Sequence, residues 1–180
     1  SDLSPTFDAV GHGFVVYSGN SMFANCKAWY SRGHGFLVKT QHIQFTNCQT
    51  QDGWWDGFKD TGGQNIYHGC MADSNNHTGT GSGYAGFRFS GNGTTAVGCS
   101  AFTRVAGDVT WKQDYGFVVT SGATYSLING VTVNNGTAGL SSSSPTGSTV
   151  SVVQDAGGIA AVVKTPEQAT EIVTRCKRGK

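Results

Sequence analysis

Acids, bases and aromatic rings crowd into three short stretches of this chain. They hold Asp52, Trp54, Trp55 and Asp56; then Asp73, His77 and Tyr84; then Asp108, Trp111, Lys112, Asp114 and Tyr115. Three of the four tryptophans fall there, with Lys59 and Arg88 a few residues beyond such stretches and Lys39 ahead of the first. Rings beside carboxylates suit a carbohydrate, because the flat apolar face of a pyranose stacks on Trp or Tyr while carboxylates accept its hydroxyl hydrogens. Two cleavage chemistries are open. Glycoside hydrolysis needs two carboxyls, ~5–5.5 Å apart for retention or ~6.5–9.5 Å for inversion, and Asp52, Asp56, Asp73, Asp108 and Asp114 form the pool. Elimination from a uronic acid needs a base for the proton α to the carboxylate and a cation for the developing charge; Lys59 or Arg88 would serve. Asp56, Lys59 and Arg88 are therefore the candidate catalytic residues. Trp54, Trp55, Asp73, Tyr84, Asp108, Trp111 and Tyr115 are the candidate sugar-binding residues. The competing use of Trp54 and Trp55 is to cover the molecule or meet a partner chain, since two adjacent tryptophans in a turn are hard to bury together.

These stretches interrupt a repeat. Gly-Phe recurs at Gly13-Phe14, Gly35-Phe36, Gly57-Phe58, Gly86-Phe87 and Gly116-Phe117, at intervals of 22, 22, 29 and 30 residues. Cys26, Cys48, Cys70 and Cys99 each follow their glycine by 13 residues. A period of this size means stacked supersecondary units. Within a unit the apolar side recurs at period 2, as in a strand: Phe14 and Val16, Phe36 and Val38, Phe117 and Val119. The residue before each cysteine is Asn25, Asn47, Gly69 or Gly98, and Asn129 takes that place in the fifth copy. Asn and Gly tolerate φ > 0, so a left-handed bend is expected at all five. Strand, bend and strand, stacked in register ~4.8 Å apart, make a coil of about five rungs. The extra residues fall at one corner, just before the Gly of the next rung, at 51–56, 73–85 and 102–115. Loops at one corner of successive rungs are spatial neighbours, which makes that corner the candidate site.

The repeat and its Asn/Gly column resemble the right-handed parallel β-helix of the pectate-lyase-like superfamily over residues 11 to about 135. That resemblance implies an all-β, single-stranded right-handed parallel β-helix. It implies polysaccharide as the partner, in the manner of a phage tail spike or appendage, with a secreted polysaccharide lyase, a glycoside hydrolase fragment or an inert assembly rod as alternatives. It also implies an extracellular or virion location and a homotrimer. Gly11-His12-Gly13 and Gly33-His34-Gly35 look like the Gly-His-Gly motif of polygalacturonases; His12 and His34 are either turn residues or a catalytic pair.

The rest of the sequence narrows the reading. Charged residues make up 13% of the chain and the net charge is +1, with no basic stripe along the rungs, so nothing favours nucleic acid. No apolar run reaches the ~18 residues of a membrane span. Stacked cysteines would lie about one rung apart, wider than a disulfide prefers and in a line rather than a tetrahedron, so free thiols and no metal are expected. No cofactor is implied. Val15, Leu37 and Val118 share an outward column and are expected to be exposed, as are Met22 and Trp29. Asp60 stands where other rungs carry Val or Phe, and is expected to end its strand and turn outward. Rungs are assigned to 1–145. Residues 146–180 are assigned to two strands, Thr149–Val153 and Ile159–Val163, and a helix at about 166–176, whose Thr165-Pro166-Glu167-Gln168 start reads as a capping box. An open first rung would expose Phe14, Val16 and Phe23, so the natural chain is expected to continue N-terminally.

Overall fold

The computed structural model describes residues 11–79, 81–104, 112–154 and 161–163. Its strands are β1 (Phe14–Val16), β2 (Met22–Ala24), β3 (Lys27–Trp29), β4 (Phe36–Val38), β5 (Gln44–Thr46), β6 (Gln49–Gln51), β7 (Phe58–Asp60) and β8 (Ile66–His68). They continue with β9 (Met71–Asp73), β10 (Ala85–Phe89), β11 (Thr95–Phe102), β12 (Tyr115–Val119), β13 (Leu127–Val133), β14 (Ala138–Ser142), β15 (Thr149–Gln154) and β16 (Ala161–Val163). The described residues form no helix. The fold is all-β, and its strands stack in parallel, solenoid-like turns.

Each turn adds a strand to two sheets. The first sheet runs β1-β4-β7-β10-β12-β14, and the second holds β2, β5, β8, β11, β13 and β15, with β3, β6 and β9 continuing its early turns. The Gly-Phe copies lie in exact register by type: Phe14 pairs with Phe36, Phe36 with Phe58, Phe58 with Phe87, and Phe87 with Phe117. Their rings stack with centroids 4.5, 4.9, 4.8 and 5.0 Å apart. A second ladder, Phe23, Phe45 and Tyr67, stacks at 5.1 and 4.8 Å and meets the first edge-on. Together with the Val16, Val38 and Val119 column, these ladders are the core. Glycine precedes the phenylalanines because the turns sit too close for a side chain. A Cβ on Gly35 would lie 2.7 Å from the Gly57 carbonyl oxygen, and one on Gly57 would lie 2.6 Å from that of Gly86.

Asn25, Asn47, Gly69 and Gly98 take φ of 56°, 51°, 58° and 66°, the expected left-handed bend. Asn129 does not: it lies inside β13, paired with Ser151 in continuous extended backbone. Cys26, Cys48, Cys70 and Cys99 are free, and the Cys48 thiol is held above its ordinary range by its contact with Cys70 and by burial.

Three further expectations need correction. The stack has six turns rather than five, because Gly139-Leu140 takes the Gly-Phe place: Leu140 pairs with Phe117 in β14. The two strands expected at Thr149–Val153 and Ile159–Val163 are present as β15 and β16, the latter antiparallel against β15. Leu37 and Val118 are buried and Val15 half-buried, whereas Met22 and Trp29 are exposed as expected. Asp60 points inward and is fully buried, because the turn that follows supplies donors to its carboxylate: Gly62 N, Gly63 N, Asn65 Nδ2 and Tyr67 OH. The helix at 166–176 lies outside the described residues.

Candidate functional site

The described part of the inserted corner consists of the segments 30–35, 52–57, 74–79 with 81–84, and 103–104 with 112–114, between β3 and β4, β6 and β7, β9 and β10, and β11 and β12. Asp108 and Trp111 lie outside the described residues. Buried polar side chains knit the segments together. Asn75 Oδ1 accepts from Gly53 N at 3.2 Å while its Nδ2 donates to Thr50 Oγ1 at 3.1 Å. Asn76 donates to the Lys112 carbonyl at 2.9 Å. The Asp114 carboxylate accepts from Gly81 N and Gly83 N, at 2.8 and 2.6 Å, pinning the tip of the longest described segment.

On one side of the corner stand Asp56, Arg88, His34, Trp55 and Tyr84. Asp56 accepts from Arg88 Nε through both oxygens at 3.1 Å and from Ala85 N at 2.8 Å. Arg88 also donates to the Gly83 carbonyl. Burial pushes the Asp56 carboxyl up, and the Arg88 guanidinium opposes that rise. At 1% exposure this acid presents almost no surface to a ligand. His34 Nδ1 lies 3.4 Å from Asp56 Oδ2, but burial, with Lys59 and His12 nearby, depresses the imidazole to about 3, so the ring is neutral at physiological pH. His12 and His34 stack with centroids 5.2 Å apart, and His12 Nδ1 accepts from His34 N at 2.8 Å. The repeat therefore turns the two histidines into a packed pair. Trp55 stacks on Tyr84 at 5.9 Å and packs edge-on against both histidines. Lys59, half-buried, stands in register between Leu37 and Arg88.

On the other side runs a row of rings that the sequence reading did not assemble. Trp29 meets Tyr30 at 6.3 Å, Tyr30 meets His77 at 5.4 Å, and His77 meets Trp54 at 5.0 Å. The Arg32 guanidinium lies over Trp54, 5.6 Å from the ring centre. Trp29 and Tyr30 are 67% and 53% exposed, enough to offer a ring face to a ligand. Behind them, Asp52 accepts from Trp29 Nε1 at 3.4 Å and from Gln51 Nε2 at 3.1 Å. Arg104 pairs with Asp52 and also reaches Asp73 at 3.4 Å. Ser74 donates to Asp73 at 2.6 Å. Burial raises the Asp73 carboxyl, with Asp52 adding to the rise.

Of the predicted residues, Asp56, Arg88, Trp55 and Tyr84 thus come together on one side, and Trp54 and Asp73 on the other. Tyr115 starts β12, half-buried, in register with Ala85. Trp29, Tyr30, Arg32 and Arg104 were missed. The available signal was register: Trp29 lies opposite Gln51, which lies opposite Asp73, in the column that opens the corner. A shallow groove of about 360 Å³ at a different corner is lined by Met22, His42, Ile43, Gln64 and Ile66, among others, and has no acid on its walls. No protein-family model matches the chain, and no curated protein or solved structure is significantly similar to it.

Proposed function

We propose that this chain is a right-handed, single-stranded parallel β-helix of the pectate-lyase-like kind that engages polysaccharide at the inserted corner, as an extracellular or virion-associated component. One observation carries the reading: a row of rings in which Trp29 and Tyr30 are exposed and His77 and Trp54 half-buried, held on strands and braced turns. Aromatic faces held by a scaffold bind pyranose rings at little entropic cost. The reading is binding rather than cleavage. Asp52, Asp56, Asp73 and Asp114 are all buried and already engaged with donors of the protein, so none of them stands ready as a solvent-facing acid or base.

A glycan array probed with the full chain tests this. Replacing Trp29 or Tyr30 by Ala should weaken binding by about 1–2 kcal/mol, the scale of a lost aromatic contact. Both rings are exposed, so the thermal transition should stay within a few degrees of the parent. Absence of binding to every arrayed glycan would remove the proposal.

A further inference from the structure

The charges of the described residues are sorted by sign. Among the described residues, all five acids, Asp52, Asp56, Asp60, Asp73 and Asp114, are buried. No described base is. Lys27, Arg32, Lys39 and Lys112 are exposed, while Lys59, Arg88 and Arg104 are half-exposed. The cause is local. Turns of a stacked coil leave backbone N–H groups unpaired at the corners, and carboxylates turn inward to accept from them: Asp60 from Gly62 and Gly63, Asp114 from Gly81 and Gly83, Asp56 from Ala85. Arg88 and Arg104 reach in from the rim to neutralise part of that charge. A net charge of +1 over the whole sequence thus conceals a described surface on which the accessible ionic groups are cations.

This sorting bears on the ring row directly. The segment from Lys27 to Arg32 carries an exposed cation at each end and two exposed rings, Trp29 and Tyr30, between them. It spans at most ~18 Å of chain. Lys27 Nζ is steered by the neutral Gln51 Oε1 at 2.6 Å, and Arg32 lies over the Trp54 ring. Asp52 and Asp73, the carboxylates behind the row, are paired with Arg104 and buried, and Asp73 also lies within electrostatic reach of Lys27.

We propose that the glycan engaged at this row is anionic, its carboxylate or sulfate groups pairing with Lys27 and Arg32 while its apolar ring faces stack on Trp29 and Tyr30. The proposal rests on the polysaccharide reading above and adds the charge class of the ligand. Guanidinium and ammonium groups form their strongest hydrogen bonds to such oxyanions. A surface whose accessible charges share one sign raises the local concentration of a polyanion and repels polycations.

The test is binding of the full chain to a panel of acidic polysaccharides, each beside a matched neutral form. Uronic-acid polymers are matched with their carboxyl-reduced forms and sulfated polymers with their desulfated forms. Neutral glucans and a single-stranded oligonucleotide complete the panel. The expected result is binding to at least one acidic polymer that falls tenfold or more in its neutral counterpart, and tenfold or more between about 50 and 300 mM salt. Which matched pair shows the loss tells carboxylate from sulfate. Arg32→Gln and Lys27→Gln should each weaken that binding about fivefold and flatten its salt dependence, with circular dichroism unchanged. Equal binding to acidic and neutral forms, or binding to neutral glucans alone, overturns the anionic assignment while the polysaccharide reading stands. Tighter binding to the oligonucleotide than to any glycan overturns it in favour of a different polyanion. No binding anywhere on the panel overturns both.

Discussion

Asp60 occupies a position that its neighbours in register, Val38 and Phe89, fill with apolar side chains. A lone carboxylate there would be costly. It is tolerated because Gly62 N, Gly63 N, Asn65 Nδ2, Tyr67 OH and, more distantly, Thr94 Oγ1 all donate to it. Asp60→Val, which restores the repeat, should therefore destabilise the fold by roughly 3–5 kcal/mol in urea denaturation, because those donors lose their acceptor. A neutral or stabilising result would show that the donors find other partners. The sequence marks Asp60 as odd but not as buried, since its donors come from a turn, from β8 and from the next rung rather than from its own column. His34 gives a pH effect. Its folded pKa of about 3 lies below the ordinary 6.5, so its contribution is present above ~6.5 and is lost as the pH falls and the unfolded chain takes up the proton. Asp56 and Asp60 are shifted up and act in the opposite sense, favouring the fold as they become protonated. The thermal stability of the parent relative to His34→Gln should therefore shrink between about pH 7 and pH 4. A constant gap would mean that the imidazole titrates alike in both states.

At the scale of elements, the strands were the most legible part of the molecule and the corner segments the least. Period-2 alternation, the Gly-Phe pair and the Asn/Gly column each report a backbone constraint that every turn must meet, so they recur. Gly139-Leu140 escaped notice only because leucine replaces phenylalanine in the same register. Asn129 misled because its type matched the bend while β13 runs straight through it. The corner segments have no such periodicity: their order comes from single side chains reaching across turns. The segment from Ser74 to Tyr84 shows this, with Gly81 and Gly83 held by a carboxylate more than thirty residues away in sequence. Asp114→Ala should release that tip while leaving the ladders intact. Limited proteolysis is expected to cut between residues 79 and 84 at least tenfold faster than in the parent, with far-UV circular dichroism unchanged. Unaltered cleavage would mean that Asn76, bonded to Lys112 O and to the Ser82 hydroxyl, holds the segment unaided.

For the whole molecule, the burial of Leu37 and Val118 moves the exposed apolar surface from the first sheet to the second. From the fourth turn on, the outward positions of β11, β13 and β15 are Thr95, Val97, Ser100 and Phe102, then Leu127, Asn129, Val131 and Val133, then Thr149, Ser151 and Val153. None is ionisable, and Leu127, Val131 and Val153 are 45%, 47% and 51% exposed. A patch without charge, on a described surface whose other accessible ionic groups are cations, lets two copies meet without repulsion, and we propose it as the self-association face, with a trimer as the expected closed form. Its extent sets the strength. Eight residues by three turns cover about 27 Å by ~14 Å, or roughly 400 Å² per chain, about half of what a stable interface buries on each partner. Association through this face should therefore be weak and reversible, visible as a sedimentation coefficient that climbs across the micromolar range. Val131→Lys combined with Val153→Lys puts two like charges on adjacent, register-paired positions. That pair should abolish the climb without lowering the thermal transition by more than a few degrees, since both side chains already face solvent. A parent that stays monomeric at the highest concentration would leave the face without a partner of its own kind. A variant that still associates would place the contact elsewhere on the rod.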